Sequence, residues 1–143
     1  YFGNDARTIN QGIGGTFGEY PPINGHIYID VNDTSSSANP PQAPLLKVIN
    51  NNIQMKLWRP NVPESDFTNV SSIVTQFSND PAYSTGYSTN PITNINVRDV
   101  IAFKFNSLTY ALLYIRRVDN GTEATSSQQS GIEFRTIYPI YIP

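Results

Sequence analysis

His26 is the sole histidine of the chain, so any Ser-His-Asp or Cys-His device must use it. It opens the segment His26-Ile27-Tyr28-Ile29-Asp30-Val31. Strict alternation there puts His26, Tyr28 and Asp30 on one face of a strand and the aliphatic residues on the other. That is the setting of a solvent-facing strand histidine. Directly after it, Asp30, Asn32 and Asp33 offer oxygen donors of the kind Ca²⁺ takes. The glycine and distant bidentate glutamate of an EF-type loop are missing, and an Asx turn ending the strand explains the same residues. Calcium is therefore a candidate, and no other cofactor is expected.

Glycoside hydrolysis would need two carboxyls roughly 5–10 Å apart. Asp30, Asp33, Glu64, Asp66, Asp99 and Glu133 are available, but their spacing selects no pair. Glu64 and Asp66 suit the positive end of a helix, and Glu133 with Arg135 suits a solvated strand face. A small hydrolase is the least favoured reading, and the expectation is a protein without enzymatic activity. Trp58, Tyr83 and Tyr87 suggest a different chemistry. An indole exposed beside tyrosines makes a stacking platform for a sugar ring. The alternative is that an amphipathic helix covers Trp58.

The composition narrows the classes further. The 143 residues are enough for one domain with its own core. Only 14% are charged, and the formal net charge is −2, which lacks the basic footprint of a nucleic-acid binder. No run reaches the roughly 18 apolar residues of a membrane-spanning helix. Cysteine is absent, which excludes disulfides and thiolate metal sites. Asn, Ser, Thr and Gln together make 47 residues, so solubility rests on amides and hydroxyls. That composition, and a first residue that is tyrosine, lead to the expectation of a processed, secreted or cell-surface protein. Asn32, Asn69 and Asn120 head Asn-x-Ser/Thr sequons and are candidate glycosylation sites.

The elements that must position these residues are short strands. Residues 1–25 hold six of the nine glycines, with one strand expected near Ala6–Ile9. Leu45–Ile49 and Ile53–Trp58, joined by Asn50-Asn51-Asn52, read as a hairpin. One helix is expected at about 64–78, with Phe67, Val70, Ile73, Val74 and Phe77 as its apolar stripe. Val100–Phe105 and Tyr110–Val118 form a second hairpin, and the latter, apolar on both faces up to Arg116, reads as a central strand. Ile132–Ile142 closes the chain, with Pro139 limiting its pairing.

The stretches Asp99-Val100-Ile101-Ala102-Phe103-Lys104-Phe105 and Thr109-Tyr110-Ala111-Leu112-Leu113-Tyr114-Ile115, followed by Gly131-Ile132-Glu133-Phe134, are similar to a hairpin and closing strand of secreted and surface lipoproteins of Bacteroidetes. The likeness spans about residues 99–134. In that family the loop usually carries Gly-Lys, where Leu108-Thr109 stands here; the family's lipid-bearing cysteine is also absent. The resemblance implies a surface-associated β-sandwich and carries no catalytic residue across.

The expected architecture is one mainly β domain over 1–143, an antiparallel β-sandwich of seven to nine strands with one short helix. The glycine-rich residues 1–25 are a candidate exchangeable segment. The tail, with Ile132, Phe134, Tyr138, Ile140 and Ile142, is lightly charged and β-prone. Such strands pair either within their own sheet or with a neighbouring molecule. The expected role is structural or adhesive: a filament-like subunit associating with itself or another surface protein through terminal or edge strands. A glycan-binding module is the alternative.

Overall fold

The computed structural model describes residues 5–9, 27–31, 44–48, 52–120 and 130–143, with side chains at 46–48, 52–118 and 132–143. Seven strands and two helices follow in the order β1 (Asp5–Ile9), β2 (Ile27–Val31), β3 (Pro44–Val48), β4 (Gln54–Arg59), α1 (Glu64–Thr68), α2 (Val70–Asn79), β5 (Val100–Lys104), β6 (Thr109–Asn120) and β7 (Ser130–Tyr141). The protein is mainly β, as the recurrence of short β-branched and aromatic runs requires. Five strands make one antiparallel sheet in the spatial order β1-β7-β6-β5-β4, and β2 with β3 make a second, two-stranded sheet.

The two faces of the large sheet carry separate cores. Ile101, Phe103, Ala111, Leu113, Ile115, Ile132 and Phe134 point to the side where Leu46 of β3 is buried. Val100, Ala102, Tyr110, Leu112, Tyr114 and Ile140 point to the other side, against Phe67, Ile73 and Phe77 of the helices. The result is an unequal sandwich with helices outside its larger sheet. β6 lies in the middle of the five strands and is buried from Tyr110 through Ile115, as its two apolar faces demand.

Two expectations are corrected. Residues 44–48 and 54–59 do not form a hairpin: β3 pairs with β2, and β4 pairs with β5. β3 and β4, neighbours in sequence, thus belong to different sheets. The helix over 64–78 is two helices, broken at Asn69. The Asn69 carboxamide oxygen accepts the Ser72 N–H at 3.4 Å and caps α2, a competition with helical backbone that asparagine commonly wins. The break changes the phase of the stripe, so Val70 is 50% exposed while Phe67, Ile73 and Phe77 remain buried.

Register shifts place particular side chains. In the β6–β7 pairing, Tyr110 opposes Ile140 and Leu112 opposes Ile137, so Pro139 falls in a bulge where no ladder donor is required. A second shift lies between Ile115 and Arg117. Arg116, the extra residue there, donates from Nε to Glu64 Oε1 at 2.9 Å and ties β6 to α1. The β5–β6 turn is closed by Asn106, whose side-chain oxygen accepts the N–H groups of Leu108 and Thr109.

Candidate functional site

Trp58 and Tyr87 are brought together with Tyr83 on the helical face. Trp58 meets Phe77 edge-on at 5.2 Å between centroids, and Tyr83 meets both Phe77 and Tyr110 edge-on at 6.1 and 5.5 Å. Tyr87 lies 6.2 Å from the Tyr110 ring. The polar tips of Trp58 and Tyr87 are satisfied within the fold. The Trp58 indole donates to Asp80 Oδ2 at 2.7 Å, and the Tyr87 hydroxyl donates to the Tyr83 carbonyl at 2.6 Å. The Arg59 guanidinium lies 4.3 Å from the Trp58 ring centroid, and the Lys56 ammonium lies 4.7 Å from that of Tyr87. α2 thus covers the Trp58 side of the sheet. These ring contacts make the cluster a packed corner, whereas a sugar platform requires an open ring face. Burial pushes the Tyr87 hydroxyl well above the usual phenol range. The Ala82 N–H and the Trp58 indole hold the Asp80 carboxyl below its ordinary value.

The carboxylates are dispersed. Glu64 accepts from Arg116 and lies 3.8 Å from Arg135, while Glu133 lies 3.7 Å from Arg117. Asp66 is exposed. Among the described residues no three His, Asp or Glu side chains gather. His26, Asn32 and Asp33 lie outside the described residues, and Asp30 is described only as backbone of β2. Of the sequon asparagines, Asn69 is exposed at the head of α2, Asn120 ends β6 opposite Ser130, and Asn32 is outside the described residues.

Asp99 is the one buried acidic or basic residue among those described, 4% exposed. Its Oδ2 accepts the Asn96 N–H at 3.0 Å. Burial raises its pKa more than that hydrogen bond lowers it. A carboxyl whose pKa is higher in the fold than in the unfolded chain contributes most stability below the unfolded value. That contribution is lost as pH rises through the folded value. Asp99→Asn keeps an acceptor for Asn96 and removes the charge. Chemical denaturation from pH 4 to pH 7 should show the variant gaining on the parent as pH rises; a difference independent of pH would overturn this.

The two ends of the large sheet are treated differently. At the β4 end, Met55 and Ser88 exchange two backbone hydrogen bonds, Met55 N–H to Ser88 at 2.9 Å and the reverse at 3.1 Å. The Lys56 ammonium also donates to the carbonyls of Ala82 and Thr85, at 2.8 Å to the latter. The Lys104 ammonium donates to the Ser84 carbonyl at 3.1 Å. The segment 82–88 is thereby pinned along the β4 edge and blocks further strand pairing there. Sequence reasoning missed this guard; its trace was two lysines on adjacent strands facing a tyrosine-bearing loop. At the other end stands β1, paired to β7 from Asp5↔Arg135 to Ile9↔Gly131.

The tail residues are placed unequally. Ile132, Phe134 and Ile140 are buried in the chain's own core, Ile142 packs half-buried on the helical-side core, and Tyr138 is 45% exposed against Phe105. No family model matches the chain, nor does any curated protein or solved structure. Among the described residues, no helix is long and apolar enough to cross a membrane.

Proposed function

We propose that this is a non-enzymatic structural or adhesive protein of the cell surface or extracellular space, and that its copies associate through exchange of β1. The observation that carries the reading is the asymmetry of the sheet ends. β4 is guarded by segment 82–88, while β1 is a five-residue edge strand set opposite two core residues of β7, Ile132 and Phe134. The sequence joining β1 to β2 is rich in glycine, a composition that allows many backbone paths. β7 is a poorer candidate for exchange, because it pairs with β6 along its length and fills both cores. In an assembly, β1 of one copy would lie on β7 of the next, with main-chain hydrogen bonds supplying affinity. Sparse charge and the amide-rich surface support the extracellular setting.

The absence of cysteine makes a direct test available. Arg7 and Glu133 are Cα partners, and directly opposed antiparallel positions lie about 4.5–5.5 Å apart, within disulfide reach. Chains carrying Arg7→Cys and chains carrying Glu133→Cys are mixed at high concentration under mild oxidation. Exchange yields linked pairs of one chain of each kind, in excess of a control in which exposed Thr68→Cys replaces Glu133→Cys. A chain carrying both substitutions that closes only on itself at every concentration, with no linkage in the mixture, ends the reading.

A further inference from the structure

The β1–β7 pairing contains a charge pattern that specifies its partner. Asp5 stands opposite Arg135 and Arg7 opposite Glu133, while Ala6 and Thr8 alternate with them opposite Phe134 and Ile132. Each charged position on one strand therefore meets the opposite sign on the other. A slip of two residues in one direction brings Asp5 opposite Glu133. The same slip in the other direction brings Arg7 opposite Arg135. A slip of one residue puts a charged position opposite Phe134 and exchanges the faces of the strand. Every nearby alternative register thus opposes like charges or sets a charge against the core. Directly opposed cross-strand pairs are attractive when opposite in sign and repulsive when alike.

We infer that the edge of β7 at residues 131–135 is a register-selective docking surface. Its occupant is the Asp5–Ile9 strand, which carries an acid and, two residues later, a base. Glu64, 3.8 Å from Arg135, and Arg117, 3.7 Å from Glu133, flank the row and continue its alternation of sign onto α1 and β6. The surface therefore reads charge order as well as shape. Because the pairs lie at a sheet edge, salt weakens the selection. Selection by charge stands for a strand of the same chain; its extension to a second copy rests on the exchange reading above.

The test reverses each row in the full-length chain. One variant carries Asp5→Arg with Arg7→Asp, a second carries Glu133→Arg with Arg135→Glu, and a third carries all four. Amide hydrogen exchange at residues 5–9 and 131–135 reports the pairing. The β1 reversal alone should lower protection there roughly tenfold at low salt, since two attractive pairs become repulsive; the β7 reversal should lower it further, since it also sets like charge against Glu64 and Arg117, and the fourfold variant should recover the share lost in the β1–β7 pairs. Asp5→Asn with Arg7→Gln, which introduces no repulsion, should fall between. Recovery in the fourfold variant establishes selection by charge, and failure to recover overturns it whatever the chains do in assembly. The two reversed chains are then mixed. Preferential mixed complexes extend the selection to a second copy. Recovery without mixed complexes keeps selection within the chain and overturns its extension, together with the exchange reading.

Discussion

Truncation of Phe77 to alanine is expected to cost about 3–5 kcal/mol, the usual toll of removing a fully buried aromatic ring. Phe77 is the hub of the helical face: it is completely buried and meets the rings of Trp58, Tyr83 and Tyr110. Its loss leaves a cavity bounded by three large rings, two of them tied elsewhere, the Trp58 indole to Asp80 and the Tyr110 hydroxyl to the Ser107 carbonyl. Such walls collapse poorly, which places the cost toward the upper end. A loss of that size is comparable to the whole stability of many domains, about 5–15 kcal/mol. Phe77→Leu, which keeps most of the volume, should cost less than about 2 kcal/mol. Denaturant unfolding followed by the fluorescence of Trp58, the single tryptophan, and by far-ultraviolet circular dichroism checks both. Coincident transitions show that the helices and sheet unfold together; an earlier fluorescence transition shows the helical face detaching first. A Phe77→Ala chain with unchanged stability would remove this residue from the core.

The central sheet was the most legible part of the sequence. In β6, Tyr110, Leu112 and Tyr114 alternate with Ala111, Leu113 and Ile115, and that double apolar period has only one comfortable place, the middle of a sheet. The β5–β6 turn was equally plain because Asn106 supplies its own acceptor to the following N–H groups. Pairing between distant strands was not legible. The hairpin expected from the three asparagines at 50–52 rested on short sequence separation, whereas β4 found its partner in β5 across the helices and segment 82–88. Nothing in a local pattern distinguishes these partners, since both strands present alternating apolar residues. Leu57 shows the same limit: period two assigns it to the core, yet it is 47% exposed beside the register shift on the edge strand.

The candidate residues divide along similar lines. Trp58, Tyr83 and Tyr87 all lie against the helical-side core, because aromatic residues near one amphipathic helix converge on its face. Their use could not be read from the grouping: it depends on Phe77 and Tyr110, which stand between them in space but not in sequence. The guard at β4 left only Lys56 and Lys104 as a trace, because its Met55–Ser88 link is made by backbone atoms, which carry no sequence signature. The charge pattern of β1 and β7 is the converse case. Asp5, Arg7, Glu133 and Arg135 are unremarkable singly and acquire meaning only when the register sets them opposite one another.

Phe134→Ala is the substitution that separates a tail built into its own molecule from one lent to a neighbour. Phe134 is 2% exposed, packs with Ile115 and Ile132, and stands in register between Ile115 of β6 and Ala6 of β1. Within one chain its removal should cost about 3–5 kcal/mol. A tail that fills the core of its own chain gives a cost that does not vary with protein concentration. If the tail instead filled the core of another copy, the parent's melting temperature would rise with concentration, as binding linkage requires, and Phe134→Ala would erase that rise. Tyr138→Ala supplies the contrast. Tyr138 meets Phe105 at 5.2 Å on the surface, so its loss should cost only about 1 kcal/mol. A β1 exchange adds a third signature, in which concentration raises the melting temperature of parent and Phe134→Ala alike while the gap between them stays wide. Melting curves of the three proteins over a hundredfold range of concentration distinguish these cases. With the tail held by its own sheet, β1 leaves at lower cost than β7, since β1 borders only β7 in the sheet whereas β7 is bound on both sides.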